Sequence, residues 1–146
     1  MRWVFELHAA STLMMAGLIW FVQLVHYPLF PAVGEGGFIA YERSHQIRTT
    51  WIVAPLMAIE LITAIAIATT PLGRSVRVLA YVGLALVAVN WLSTALVQVP
   101  DHERLARGFD AVPAARLVAT NWIRTAAWTI RGSIALLMLR STSSEI

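Results

Sequence analysis

The chain has 146 residues, of which 58% are hydrophobic and 13% charged, and its formal net charge is +3. Soluble domains average about 25% charged residues, so the composition excludes an ordinary water-soluble domain. There is no cysteine, which removes disulfides, thiolate metal ligands and thiol redox chemistry.

The length fits a single domain over 1–146. Four runs, at 7–34, 49–73, 78–100 and 117–139, are nearly free of charge. Each holds the roughly 20 apolar residues that a spanning helix needs. The expected fold is all-α, an integral membrane four-helix bundle with spans at about 3–27, 49–70, 78–99 and 114–140. The first run is too long for a signal peptide and lacks an A-x-A cleavage pattern, so it reads as a permanent helix.

In chain order, helix 1 carries His8 near its start and Gln23, His26 and Tyr27 at its end, with Pro28 and Pro31 expected to terminate it. His8 and His26 are about 27 Å apart along the helix and cannot share one site. Loop 1 contains GEGG followed by FIAYERSHQIR, which reads as a short surface helix with Phe38, Tyr41 and Ile47 against the membrane and its charges outward. Helix 2 holds Pro55, expected to kink it, and Glu60 as its single charge. Helix 3 places Asn90, Thr94 and Gln98 on one face, and Pro100 is expected to stop it. Loop 3, with DHERLARG, reads as polar loop or short surface helix, and Pro113 suits the first turn of helix 4.

Helix 4 is the most informative stretch. Asn121, Arg124, Trp128 and Arg131 step by three, four and three and fall on one face. A charge at bilayer depth costs about 2.5–3.5 kcal/mol on insertion scales, so both arginines require partners inside the bundle. The eleven positive residues are all arginines, spread over loops and one helix, which argues against nucleic acid as a partner.

A shift of 71 residues aligns Trp20 with Trp91, Trp51 with Trp122, and GFxA at 37–40 with GFxA at 108–111. The two halves, helices 1–2 and 3–4, therefore read as an internal duplication about an axis along the membrane normal. The same shift places Glu60 on Arg131. Counting depth from the predicted helix ends favours Glu60–Arg124 instead, and that pairing is slightly preferred.

Three of four histidines gather at the end formed by loops 1 and 3. His26, His45 and His102, with Glu60, form a candidate metal site, because imidazole and carboxylate together hold iron or another transition metal. Two function classes stay open. One is a metal- or haem-dependent oxidoreductase acting on a hydrophobic small molecule. In it Glu60 is ligand or proton acceptor, and Arg124 with Asn121 holds an anionic or carbonyl group. The other is a non-enzymatic carrier or binding module for a small anion or lipid head group, held by Arg124, Arg131, Asn90 and Gln98. A structural subunit with a register-fixing polar interior is the third alternative. Transport through four spans calls for a homodimer.

The strings GLIWFVQLVHYPLF (17–30), HQIRTTWIVAPLMAIE (45–60), VPDHERLARGFD (99–110) and ATNWIRTAAWTIR (119–131) resemble a family of uncharacterised bacterial four-span membrane proteins. That resemblance implies a multi-pass bacterial inner-membrane protein and no particular reaction. Arginine distribution leans weakly towards loops 1 and 3 in the cytoplasm. Helix 1 alone, with His8, Ala16-Gly17-Leu18 and His26, is similar to the first helix of the small membrane protoporphyrinogen oxidases. This implies haem with His8 as its ligand. Those enzymes also use a lysine in a later helix, and this chain has none.

Overall fold

The computed structural model describes residues 2–143, and every element among them is helical. Four rods follow one another: α1 (Arg2–Val33), α2 (Glu35–Ala68), α3 (Arg74–Leu105) and α4 (Ala111–Ser143). The first three are long and apolar enough to cross a membrane. The fourth has the length, but a polar stripe lowers its apolarity.

The rods form a square in which α1 packs on α2 and α4, and α3 packs on α2 and α4. The diagonals are therefore α1–α3 and α2–α4. Along α4 the residues turned inward are Leu117, Asn121, Arg124, Trp128, Arg131, Ala135 and Met138, a strict alternation of four and three. The bundle is polar inside and greasy outside. Glu60, Asn90, Asn121, Arg124 and Arg131 are buried, whereas Trp51, Ile62 and Leu96 stand out from the surface.

Two expected helix ends do not occur. α1 runs through Pro28 and Pro31, and α3 runs through Pro100. In both, a π-helical turn precedes the proline: Val22–His26 in α1 and Thr94–Gln98 in α3. Proline lacks an N–H and clashes with the carbonyl four residues back. The wider turn, with Tyr27 N–H donating to the Val22 carbonyl and Val99 N–H to that of Thr94, absorbs this misfit.

The expected loop at 28–48 is also absent. α2 begins at Glu35, fourteen residues before the predicted start, and continues through Pro55. Gly34 alone separates it from α1, with φ +80°, a left-handed conformation that glycine adopts without strain. The supposed surface segment agrees with expectation at Ile47, Arg43 and Arg48, which face outward, but Phe38 and Glu42 turn into the bundle. Glu42 is fully buried and Ile47 is 62% exposed. Phe38, Glu42, His45, Thr49, Val53, Met57 and Glu60 form one continuous inward face. At the start of α4, the Asp110 carboxylate accepts the Val112 N–H at 2.9 Å and caps the helix.

Residues 71 apart meet at two levels across the α2–α4 diagonal. The Phe38 and Phe109 rings pack edge to face at 5.0 Å between centroids. Twenty-two residues further along each strand of the comparison, Glu60 meets Arg131.

Candidate functional site

The deeper of two buried networks is centred on Glu60. Arg131 Nε donates to Glu60 Oε1 at 2.8 Å and Nη2 lies 2.7 Å from the same oxygen. Thr12 Oγ1 donates to that oxygen at 2.8 Å. Arg131 Nη1 also donates to the Gly83 carbonyl, and the guanidinium lies 5.7 Å from the Trp128 ring centroid. Thr12 and Gly83 are themselves 71 residues apart. The pairing expected from depth, Glu60–Arg124, is thus incorrect. That count began at Thr49, whereas the helix begins at Glu35, so the levels of α2 and α4 were mismatched.

Arg124, two turns away on the same face, has different company. Nη1 donates to Asn121 Oδ1 at 3.2 Å. Asn121 is held in turn by Gln23 Oε1 at 3.0 Å, and Gln23 by the Val118 carbonyl. All these partners are neutral. Among the described residues no carboxylate lies within ion-pair distance of Arg124, and its Nε has no hydrogen-bond partner. Arg124 lines a cavity of about 270 Å³ reached by all four rods. Met15, Leu18, Ile19, Val22 and Val53 give it an apolar wall. Tyr27, His45, Gln98 and His102 give it a polar end. Gln98 donates to Thr120 at 3.2 Å and leaves Oε1 unpartnered. Asn90, deeper in α3, is buried with neither side-chain polar atom bonded.

The three histidines expected to gather do so. His26 Nε2 and His45 Nδ1 are 2.8 Å apart, and the His45 and His102 rings are 5.1 Å apart. Their polar atoms face each other and their neighbours. His102 Nδ1 bonds Glu42 Oε1 at 2.6 Å and its Nε2 bonds the Tyr27 hydroxyl at 3.0 Å. Thr49 reaches His45 Nδ1 at 3.0 Å, and Gln46 donates to Glu42 at 3.1 Å. Glu60, the fourth expected ligand, belongs to the separate Arg131 network. No group of three or more His, Asp or Glu among the described residues is arranged to hold one metal ion.

His8, the expected haem ligand, is buried against α2 with Nδ1 2.8 Å from Thr63 Oγ1. Trp128, on the arginine face, is fully buried, while Trp20 and Trp91 sit partly on the outer surface.

Sequence reasoning missed Tyr27, Gln23 and Thr12 as members of these networks. Glu42 is legible as part of a Glu-x-x-His spacing with His45, and its place on the inward face, four residues after Phe38 and eighteen before Glu60, is readable too. Tyr27, Gln23 and Thr12 are neutral side chains in apolar surroundings, and nothing local distinguishes them from packing residues.

No family model, no curated protein and no solved structure matches this chain.

Proposed function

We propose that the protein is an integral membrane four-helix bundle that binds a small amphiphile, an acceptor-oxygen head group on an apolar body, in the cavity at Arg124. The carrying observation is the missing counter-charge. A buried guanidinium is tolerated when a carboxylate and further acceptors compensate its lost hydration. Arg131 has that compensation and Arg124 has only neutral partners. A ligand carboxylate or carbonyl oxygen in the cavity completes the Arg124 site, and the apolar wall accommodates the rest of the molecule.

Membrane insertion is supported by three rods of sufficient length and apolarity and by the greasy exterior over a polar interior. At about 1.5 Å per residue, the 34 residues of α2 extend about 50 Å, beyond a hydrocarbon core of about 30 Å. The end bearing Glu42 and the histidines therefore lies towards the membrane surface. Internal duplication is supported by the diagonal placement of α1 with α3 and α2 with α4, and by the contacts between residues 71 apart. The matched π turns before prolines in α1 and α3 point the same way.

This is the binding-module reading. A metal-dependent oxidoreductase draws on the same histidines as ligands, and in this arrangement their hydrogen bonds to each other and to Glu42 must first be released.

The test uses the full chain in lipid nanodiscs with carboxyl-labelled octanoate as probe. Octanoate is expected to protect the wild type against thermal unfolding and to show a shifted carboxyl resonance, and Arg124→Gln is expected to abolish both. Equal protection of the two proteins, or none of the wild type, refutes the reading.

A further inference from the structure

The cavity at Arg124 adjoins a second, smaller one, and four side chains wall both. A void of about 110 Å³ shares Leu18, Val22, His45 and Thr49 with the main cavity. Its other walls are Phe21, His26 and Ile52. Phe21 on α1 and Ile52 on α2 are each 54% exposed on the outer face of the bundle. The two voids lie in series from the guanidinium, past Leu18 and Val22, towards the surface between α1 and α2. The hydrogen-bonded His26–His45 pair borders it on the side of the polar end.

We infer that the occupant is a single-chain lipid acid, with its carboxylate at Arg124 and its hydrocarbon chain leaving between α1 and α2 into the bilayer. This rests on the binding reading above and narrows it. Charge selects the head: an unpaired cation with a free Nε–H takes an anionic oxygen acceptor. Shape and polarity select the body. A compact hydrophilic anion leaves the wall of Met15, Leu18, Ile19 and Val53 uncovered. A two-chain phospholipid needs a wider exit than a slot of this volume between two packed helices. Entry from the side also lets the chain remain in hydrocarbon throughout, so that only the head group is desolvated on binding.

The experiment is photo-crosslinking of the full chain in nanodiscs with palmitate carrying a mid-chain diazirine, mapped by mass spectrometry. Labelling is expected to concentrate around Phe21 and Ile52, to saturate, and to be competed by unlabelled palmitate. Arg124→Gln is expected to reduce it about ten-fold or more, the consequence of losing a charge-assisted hydrogen bond. Ile52→Trp, which crowds the outer void without lining the Arg124 cavity, is expected to remove palmitate labelling while octanoate still protects against unfolding. Labelling spread over all outer faces and unchanged in Arg124→Gln, with octanoate protection intact, overturns the single-chain assignment and leaves the binding site standing. Loss of octanoate protection in the wild type overturns both.

Discussion

Arg124 and Arg131 are the same residue type on the same face of the same helix, both buried, and seven residues apart. Arg131 is closed off: a carboxylate, a backbone carbonyl and an aromatic face surround it. Arg124 is left open: an amide oxygen accepts from Nη1, no carboxylate pairs with it among the described residues, Nε is unbonded, and a cavity lies beside it. The difference lies across the bundle. The residue 71 positions before Arg131 is Glu60, and the residue 71 positions before Arg124 is Val53. Val53 lines the cavity. Arg131 thus meets an acid where Arg124 has a hydrocarbon, and the binding proposed above rests on that difference.

The strongest way to break this comparison is to remove one half of the closed pair. Glu60→Ala or Arg131→Ala leaves a buried charge uncompensated and is expected to cost about 3–5 kcal/mol. The double change Glu60→Leu with Arg131→Leu should recover most of that. Denaturation in mixed micelles measures both, and a stable single variant would contradict the closed-pair assignment. Phe38→Ala, at the other contact between residues 71 apart, should cost about 3 kcal/mol through the cavity it leaves. An effect under about 1 kcal/mol would show that the two halves do not depend on that contact.

Arg124→Met sharpens the contrast from the other side. With no carboxylate to strand, it should leave the ligand-free protein within about 1 kcal/mol of wild type, or above it, while octanoate no longer raises the unfolding temperature. Destabilisation as large as that of Arg131→Ala would mean that Arg124 is structural too. The smallest effect belongs to Tyr27→Phe. It deletes the hydroxyl bonded to His102 Nε2 and should lower stability by about 1 kcal/mol. Unchanged stability in the same denaturation series would remove Tyr27 from the network.

The stripe Asn121–Arg124–Trp128–Arg131 was legible because helical periodicity is local: steps of three and four place side chains on one face whatever surrounds them. The gathering of His26, His45 and His102 was legible because three apolar runs bring their ends together. The start of α2 was not. GEGG and the charged run after it have loop chemistry, and only burial against α1 and α3 makes Glu42 and Gln46 inward-facing helix residues. The prolines misled for a related reason. A π turn absorbs them, and its stability comes from packing on neighbouring rods.

By itself the sequence determined the number of long helices, their apolar exteriors and the shared face of Asn121, Arg124, Trp128 and Arg131. These follow from composition and the 3.6-residue period, which neighbouring chain segments do not alter. Only the tertiary structure decided which arginine meets Glu60, that the histidines and Glu60 belong to different networks, and that Arg124 opens on a cavity. Those outcomes depend on the relative levels of α2 and α4 across a diagonal of the bundle. A shift of two turns along either helix exchanges the partners, and that register is set by packing over the whole length of four rods.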